Sequence, residues 1–395
     1  MTGIDYPLGG DTWDDRELAA IKAVMDSGKF TMGPRVKEFE KRFAEHFGAR
    51  HAVMTNSGSS ANLIGVMACR YHPRHRLSPG DEVIVPAISW STTYFPVHQA
   101  GLKLRFVDVD PKTLNLDADQ VRRAITPKTR AVFAVNLLGN PNDFDGLRRV
   151  ADDSGLLLLE DNCEGMGARF GGRHTGTFGL FGTFSTYFSH HISTMEGGVV
   201  ITDDEDLYHI LLSLRSHGWV REQPAHSKLR TKIDPFVEMY RFVLPGYNVR
   251  PLEISGAIGV EQLQKLPQIV DQRRANAAAF KNLFGDFAHV RIQRETGESS
   301  WFAFAMTLTG ELAGRRAAVV DAFTRNGVEC RPIVAGNFVN NPVMAHLDHS
   351  VSGSLGAADD IDANGLYLGN HPRDIRPQLA AVRDILDGVA SGRNA

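Results

Sequence analysis

The residues that could do chemistry begin with two histidines in the stretch STYFSHHISTMEGG, residues 185–198. His190 and His191 follow an apolar run, and Gly197 and Gly198 allow a tight turn behind them. A neutral imidazole has an unperturbed pKa of roughly 6.5, so it can act as a base near pH 7. Adjacent side chains of a strand point to opposite faces, so we expect at most one of the two histidines to be functional.

Two further side chains are predicted at one edge of a sheet. Asp161 ends the apolar run LLLLED, and Trp90 follows the apolar run DEVIVP. In open α/β sheets, ligands bind at the carboxyl ends of the strands. A carboxylate there could hold the protonated nitrogen of a heteroaromatic ring, and an indole could stack on that ring. The alternatives are a helix-capping aspartate and an ordinary core tryptophan.

The stretch NSGSSAN, residues 56–62, joins a predicted strand to a predicted helix. Such a helix N-terminus exposes backbone N–H groups, which form a cup for an anion. Ser57 and Gly58 belong to this turn, and Ser59 and Ser60 would add hydroxyl donors. The alternative is a capped turn without a ligand.

A second polar stretch, GYNVRPLE at residues 246–253, precedes a long helical pattern. Its Asn248 and Arg250 could reach a phosphate or a carboxylate. The alternative is a polar surface loop.

The elements that must position these residues alternate between strand and helix from about residue 50 to residue 215. This alternation predicts βαβ units and an α/β fold, in which a mostly parallel sheet is covered on both faces. We expect a large domain over residues 1–250, with an irregular excursion at 221–245. A connector helix is predicted at 251–285, with its periodicity broken at Pro267, and a smaller α+β domain at 286–395.

Composition excludes several classes of protein. The 395-residue chain has a formal net charge of −3, which does not favour nucleic-acid binding. It shows no signal peptide and no run of about 18 apolar residues, so we expect a cytoplasmic protein without a membrane span. Cys69, Cys163 and Cys330 are widely separated, which argues against a zinc or iron–sulfur site, and no metal is predicted.

Taken in order, these motifs resemble the sugar-nucleotide aminotransferases of the aspartate aminotransferase superfamily, which depend on pyridoxal 5′-phosphate (PLP). The resemblance runs from SGKFTMGPRVKEFEKRFAEHFG, residues 27–48, through GYNVRPLEISGAIGVEQLQKL, residues 246–266. It implies fold type I, with a three-layer αβα large domain and a smaller α+β C-terminal domain.

The resemblance also implies a role for each candidate. Trp90 matches the aromatic residue stacked on the cofactor ring, and Asp161 matches the partner of the ring nitrogen. Glu164 stands where the family tends to have Gln or His, and could contact the ring oxygen or a water. Asn248 matches an asparagine that reaches the phosphate of the neighbouring subunit, which implies a homodimer with shared active sites. Ser59 and Ser60 match the residues of the phosphate cup, Ser185 matches a hydroxyl that also binds the phosphate, and Ser57 and Gly58 are further cofactor-binding candidates.

One position departs from the family pattern. Family members usually read Lys-His-Ile-Thr-Thr-Gly-Glu-Gly-Gly where this chain reads HHISTMEGG, so the Schiff-base lysine falls on His190. No lysine occurs between Lys128 and Lys228. The stretches SWSTTY, NLLGNPN, LEDNCE and FVLPGYNVRPLE resemble a deoxygenating subgroup of colitose biosynthesis that carries this histidine. A second histidine subgroup holds a [2Fe–2S] cluster, for which three scattered cysteines lack the ligands, so no iron–sulfur cluster is expected.

The resemblance implies that the C3 hydroxyl is removed from a GDP-linked 4-keto-6-deoxy sugar, with L-glutamate as amino donor. Under this hypothesis glutamate converts PLP to pyridoxamine 5′-phosphate (PMP), and 2-oxoglutarate and ammonia are released. His190 acts as the base, and His217 could protonate the leaving hydroxyl. The alternative for His217 is a histidine at a helix C-terminus, favoured by the helix dipole. The substrate-binding candidates are Arg250, Arg331, Phe30 and Met32.

Two alternatives stay open on the sequence. A sugar-nucleotide 4-aminotransferase would find His190 a hindrance, since its chemistry uses the lysine. A non-catalytic binding protein with the same fold would need none of the site residues, yet Asp161, Trp90, Ser185 and Asn248 are all in place. The residues do not distinguish a six-carbon from a seven-carbon sugar.

Overall fold

The computed structural model describes residues 4–231 and 234–393 of the chain. Positions 232 and 233 of the predicted excursion lie outside the described residues. So do positions 1–3 and 394–395 of the two predicted domains. The described helices are α1 (Asp15–Ser27), α2 (Pro34–Phe47), α3 (Gly58–Tyr71), α4 (Ser91–Gln99), α5 (Ala118–Ala124), α6 (Phe144–Ser154), α7 (Glu205–Arg215), α8 (Pro235–Glu238), α9 (Glu253–Phe284), α10 (Arg316–Arg325), α11 (Gly356–Asn364) and α12 (Arg376–Ala390).

The strands follow the apolar runs of the sequence. They are β1 (His51–Thr55), β2 (Glu82–Pro86), β3 (Lys103–Val107), β4 (Thr129–Val135), β5 (Leu157–Asp161), β6 (Arg169–Phe170), β7 (Arg173–His174), β8 (Gly182–Ser185), β9 (Gly198–Thr202), β10 (Val290–Ile292), β11 (Ala303–Leu308), β12 (Cys330–Arg331), β13 (His349–Val351) and β14 (Gly365–Gly369).

The large sheet has the strand order β1-β9-β8-β5-β4-β2-β3-β13. The pairs from β8 through β13 are parallel, whereas β9 pairs antiparallel with both β1 and β8. Every residue of β2 and β9 is buried, because helices cover both faces of the sheet. The predicted α/β fold with a mostly parallel sheet is confirmed. Parallel order brings the carboxyl ends of β4, β5 and β8 to one edge.

The smaller sheet has the order β10-β11-β14-β12 and is antiparallel. It packs with α10, α12 and the end of α9 around an aromatic core that includes Phe280, Phe304 and Trp301. The N-terminus joins this region, since Tyr6 bridges to Val328 and its hydroxyl donates to the carbonyl of Gly369 at 2.7 Å.

The C-terminal part also contributes to the large sheet. Strand β13 pairs in parallel with β3 at the sheet edge, a strand that the sequence does not predict. Phe338 and Met344 nearby belong to the core of the large sheet. The two regions are therefore interlocked, and the predicted limits at residues 250 and 285 stay a prediction.

Helix α9 continues through Pro267, so the predicted break there is wrong. Pro267 is exposed, and water can satisfy the carbonyl that its missing N–H leaves free. Buried neighbours such as Leu263, Leu266 and Val270 hold both halves of the helix against α2 and the sheet. None of the helices in the described ranges is long and apolar enough to cross a membrane.

Candidate active site

A cavity of about 600 Å³ opens at the carboxyl ends of β4, β5 and β8, where β12 and β14 of the smaller sheet approach. Its volume is typical of sites for cofactors and small substrates. The lining includes these residues predicted from the sequence: Ser57, Gly58, Ser59, Trp90, Asp161, Glu164, Ser185, His190 and Arg331.

Asp161 is the last residue of β5 and is almost fully buried. Its Oδ2 accepts hydrogen bonds from the Asn62 amide at 2.8 Å and from the Thr93 hydroxyl at 2.6 Å. Its Oδ1 accepts from the backbone N–H of Cys163 at 3.2 Å. These bonds fix the carboxylate at the cavity wall, and no helix lies between β5 and β6 in the described residues, so the alternative of a helix cap is wrong. A carboxylate held in this way can bind a protonated ring nitrogen.

Trp90 directly precedes α4 and lines the cavity. Its side chain is 58% exposed, so it is no core tryptophan. A large exposed indole beside a buried carboxylate provides a surface on which a flat ring can stack.

The predicted anion cup lies at the N-terminus of α3. Ser57 caps the helix, because its Oγ accepts from the Ser60 N–H at 3.1 Å, and Gly58 begins the helix. The first-turn N–H groups have no partner within the helix and face the cavity end. A Cβ at Gly58 would lie 2.7 Å from the Cβ of Ser185 and 3.0 Å from the Sγ of Cys163. The cup therefore requires glycine at this position.

Ser60 lies behind this cup. Its N–H and its Oγ are both used by the Ser57 hydroxyl, at 3.1 Å and 3.0 Å. It is absent from the cavity lining in the described residues. Ser60 therefore supports the cap, and Ser57, Ser59 and Ser185 supply the hydroxyl groups that line the cavity.

The two histidines lie in a turn after β8, because the strand ends at Ser185. The strand-alternation argument is therefore wrong in its premise, although only one of the histidines lines the cavity. His191 is fully buried, with its Nε2 3.3 Å from the carbonyl of Ser300. His190 lines the cavity, and its ring centroid lies 5.0 Å from that of Phe302.

The His190 imidazole is neutral at pH 7. Burial, helped by the charge of Arg273, lowers the pKa of His190 to about 4. Its Nδ1 is buried and has no hydrogen-bond partner among the described residues. A neutral imidazole at a cavity wall can accept a proton from a bound molecule.

Glu164 lines the same cavity, and its pKa is shifted in the opposite direction. Burial raises the pKa of Glu164 to about 7, and the nearby Asp161 charge adds to the rise. Its Oε2 accepts from the N–H of Leu138 at 2.7 Å. Leu138 has a φ of 51°, a strained value for leucine that turns its N–H toward the carboxylate.

Three of the remaining candidates form one cluster outside the cavity lining. His217 directly follows Ser216, the C-cap of α7, so the alternative of a histidine at a helix C-terminus stays open; its N–H donates to the carbonyl of Tyr247 at 2.6 Å. Asn248 bridges to Ser216, and its Oδ1 accepts from Arg250 at 3.0 Å. His217 and Asn248 are exposed, and the described part of this chain does not bring the cluster to its own cavity.

Phe30 and Met32 also lie outside the lining. Phe30 is exposed beside Leu252, and its carbonyl accepts from the N–H of Glu253 at 3.1 Å. Met32 packs against the core between α2 and α9.

Several residues of the site were not predicted from the sequence. Asn62 and Thr93 donate hydrogen bonds to Asp161. In the sequence, only their position about one turn into the helices that follow Gly58 and Trp90 could have indicated this role. Apart from Arg331, no pattern pointed to the lining residues of the small sheet and its loops. The further lining residues are Ser89, Thr92, Val135, Leu137, Cys163, Tyr187, Ser189, Glu196, Phe302, Val334 and Tyr367.

The residues fit a flat, phosphorylated heteroaromatic cofactor. The glycine-dependent cup suits a phosphate, Asp161 suits a ring nitrogen and Trp90 suits a ring face. No lysine is found among the described residues that line the cavity. Lys265, which is buried, pairs instead with Glu17 at 2.7 Å on another part of the fold.

Comparison with known proteins decides the family. The model of the DegT/DnrJ/EryC1/StrS aminotransferase family matches residues 11–386. The chain belongs to this family. Within this aminotransferase family, it is 54% identical over 386 residues to GDP-4-keto-6-deoxy-D-mannose 3-dehydratase of Yersinia pseudotuberculosis, which covers 97% of this chain and 98% of the relative. The same enzyme of Escherichia coli O55:H7 is 49% identical and covers 97% of this chain and all of the relative (100%).

Solved structures of this family agree. GDP-4-keto-6-deoxymannose-3-dehydratase with a trapped PLP–glutamate geminal diamine matches with a TM-score of 0.94 and 48% identity, covering 97% of this chain and 100% of that chain. A mutant of that enzyme with bound GDP-perosamine matches with a TM-score of 0.94 and 49% identity, at the same coverage of 97% and 100%. The predicted family and fold type are confirmed.

Proposed function

We propose that this chain is a PLP- and PMP-dependent 3-dehydratase that deoxygenates a GDP-linked 4-keto-6-deoxy sugar, with L-glutamate as amino donor. GDP-4-keto-6-deoxy-D-mannose is the proposed substrate. The observation that carries the proposal is His190, which stands at the family's Schiff-base position in a lining whose described residues include no lysine. The identity of 54% to a 3-dehydratase along nearly the whole chain supports the choice of substrate.

The cavity residues divide the binding of the cofactor among them. The remaining first-turn N–H groups of α3 and the hydroxyls of Ser59 and Ser185 would hold the phosphate, while the Ser57 hydroxyl caps the helix. Asp161 would keep the ring nitrogen protonated, and Trp90 would cover one face of the ring. When bound, the cofactor supplies the amine that attaches to the substrate and a ring that withdraws electrons from it.

His190 would accept and deliver the proton at the substrate-facing side of the cavity. Its pKa of about 4 keeps it in the neutral, proton-accepting form at pH 7. Unlike lysine, an imidazole has no primary amine, so it cannot displace a nitrogen attached to the substrate. The C3 hydroxyl would leave as water with a proton, and a water molecule would then replace the nitrogen at C4, which releases ammonia and restores the ketone of the deoxygenated sugar.

The glutamate and nucleotide partners need a cation. Arg331 is exposed at the cavity and forms no ion pair among those of the described residues. We propose that it binds a carboxylate of L-glutamate or the diphosphate of the GDP sugar, whose charges a guanidinium can bind in a bidentate manner.

A second copy of the chain would complete the site. His217, Asn248 and Arg250 lie together but away from the cavity of their own chain. The neighbouring surface exposes large apolar side chains, which is typical of a protein interface. They are Phe30, Phe236, Val237, Tyr240, Phe242 and Leu252. We propose a homodimer in which Asn248 reaches the phosphate in the partner's cavity. The proposed location is the cytoplasm, and the three free cysteines fit a reducing compartment.

The test is a product analysis with purified protein, PLP, L-glutamate and GDP-4-keto-6-deoxy-D-mannose. We expect the GDP sugar to lose its C3 hydroxyl, with one ammonia and one 2-oxoglutarate formed for each sugar converted. A control without glutamate should leave the sugar unchanged. A stable amino sugar without ammonia would identify an aminotransferase, and no reaction of either kind would support a binding protein; both outcomes contradict the proposal.

A further inference from the structure

A second cluster of side chains that can bind a metal lies outside the cavity lining, at the N-terminal end of α7. Glu205 and His209 are four residues apart on α7, and His226 approaches them from the following loop. Residues at this spacing share one face of a helix. One potential ligand atom from each of the three side chains lies within 4.8 Å of the others.

We infer that Glu205, His209 and His226 form a binding site for a divalent transition metal, with Zn²⁺ as the preferred ion. Two imidazoles and one carboxylate are a ligand set that Zn²⁺ accepts, with water completing the tetrahedron. Imidazole nitrogens disfavour the hard cations Ca²⁺ and Mg²⁺. The site does not involve cysteine, which is why cysteine spacing gives no sign of it.

The buried member of the cluster is poised as a ligand. His209 is 4% exposed, and its Nε2 is buried with no hydrogen-bond partner among the described residues. A buried polar atom without a partner costs free energy, which a bound ion would recover.

The two acidic neighbours of Glu205 are paired with an arginine and a lysine, whereas Glu205 is paired with a histidine of the cluster. Asp204 pairs with Arg74 at 3.0 Å, and Asp206 pairs with Lys228 at 3.0 Å. Glu205 pairs instead with His226, through Oε1 and Nε2 at 2.9 Å. A metal ion would replace the proton that these two groups share.

Metal binding at this cluster requires only a small movement of exposed side chains. Bonds of about 2.0–2.2 Å place tetrahedral ligand atoms roughly 3.3 Å apart, and the three atoms here lie within 4.8 Å of one another. The side chains of His226 and Glu205 are 67% and 47% exposed, so both can rotate toward the fixed His209. Glu205 also lines an open surface groove with Lys228 and Arg74, which gives an ion access from solvent.

A bound ion would clip the loop after α7 to the helix. At present the Gln223 amide donates to the carbonyl of His209 at 2.7 Å, and Lys228 pairs with Asp206. Metal bonds in place of the Glu205–His226 ion pair would hold residues 221–231 more firmly. The expected result is a metal-dependent rise in the unfolding temperature, since ligand binding to the folded state stabilises it.

The test titrates ZnCl₂ into tag-free, EDTA-treated, PLP-loaded protein by isothermal titration calorimetry. The variants are His226→Ala and Glu205→Gln, both at exposed positions, with His346→Ala as the control for loss of a surface imidazole. We expect one saturable Zn²⁺ site per chain in the wild type and in His346→Ala. We expect at least about tenfold weaker binding in the two cluster variants, since even loss of an outer partner of a ligand typically costs that much.

A second measurement keeps the inference falsifiable if a variant folds poorly. Crystals of the wild type soaked in ZnCl₂ should give an anomalous peak at the zinc edge within bonding distance of His209 and His226. A peak only elsewhere, or equal Zn²⁺ affinity in all four proteins, would mark an adventitious ion and overturn the inference. Absence of saturable binding in the wild type would overturn it as well.

Discussion

Two titratable side chains of the same cavity, His190 and Glu164, are both driven toward their neutral forms by burial. The pKa of His190 falls to about 4 while that of Glu164 rises to about 7. Such opposed shifts at one site are typical of acid–base chemistry, where one group accepts and another holds a proton. Near neutral pH the cavity therefore contains a free base and a carboxyl group that is partly protonated.

The raised pKa of Glu164 predicts a dependence of stability on pH. Between about pH 4.5 and pH 7 the folded state keeps a proton that the unfolded state releases, so stability falls as the pH rises through this window. Glu164→Gln removes this loss, and its Oε1 can still accept from Leu138. We expect the variant without cofactor to gain about 1–2 kcal/mol over the wild type at pH 8, and less at pH 5, in urea unfolding.

The control for that prediction is Glu311→Gln, an exposed glutamate whose replacement should change stability equally at both pH values. A gain for Glu164→Gln that is the same at pH 5 and pH 8 would contradict the assignment.

Asp161 carries a prediction of its own. Asp161→Asn keeps an oxygen for the hydrogen bonds from Asn62 and Thr93 but removes the negative charge. We expect the conversion of PLP by L-glutamate, followed by absorbance, to slow by about 10²-fold or more, in the range of proton-transfer contributions. The surface variant Asp321→Asn should keep the wild-type rate. A normal rate in Asp161→Asn would mean that the carboxylate is structural.

At the scale of elements, the cavity depends on where α3 begins. Gly58 allows the helix to start directly against Ser185 at the end of β8, so that the cup and the strand end meet. Glycine here is a matter of space, since a methyl group would contact the side chains of Ser185 and Cys163.

Gly58→Ala should therefore destabilise the protein by about 1–3 kcal/mol through overpacking and weaken PLP binding. Gly356→Ala is the matched control, since Gly356 also begins a helix but a Cβ there would meet only the Ser354 Oγ, at 3.6 Å. Thermal unfolding and a PLP titration of both variants give the comparison. Equal behaviour of the two would refute the packing argument.

How far the sequence predicts the elements depends on local signal. The apolar runs of β2, β4 and β5 and the helices between them are predictable, because their periodicity reflects burial on both faces. Strand β13 is short and joins β3 across more than 200 residues of chain, so no local pattern marks it. The turn that carries His190 looks like strand because its apolar residues directly continue those of β8, yet Tyr187, Phe188 and Met195 are exposed and only Ile192 is buried.

Which residues of the site could be predicted also depends on local sequence patterns. Asp161 and Trp90 were predictable because each ends or follows a strand that the sequence marks clearly. Phe302 and Tyr367 were not, because the packing of the smaller sheet on the larger one brings them to the cavity. The roles of all these residues stay predictions until they are tested by substitution.

At the scale of the whole molecule, the separation of Asn248 from its own cavity is informative. The cluster with His217 and Arg250 lies beside an exposed apolar surface, as expected if the site is shared between two copies. If two chains share each site, two inactive variants can restore activity when they form a heterodimer. A site built from one chain does not allow this.

We expect His190→Asn and Asn248→Asp each to lose most activity as homodimers. After mixing under conditions that exchange subunits, a heterodimer would contain one cavity with both residues intact, and activity should return. Mixing two batches of the same variant is the control. If both residues served the same chain's cavity, mixing would restore nothing, and the shared site would be excluded.

The most direct test of the central claim, that a histidine at position 190 makes the enzyme a dehydratase, is ammonia release by His190→Lys. Wild type and variant would each be given PLP, L-glutamate and GDP-4-keto-6-deoxy-D-mannose, and ammonia and sugar products would be measured together. The account predicts that the wild type releases ammonia and deoxygenates the sugar, whereas His190→Lys releases none and leaves the C3 hydroxyl in place. Ammonia release and deoxygenation at the wild-type rate in His190→Lys would contradict it.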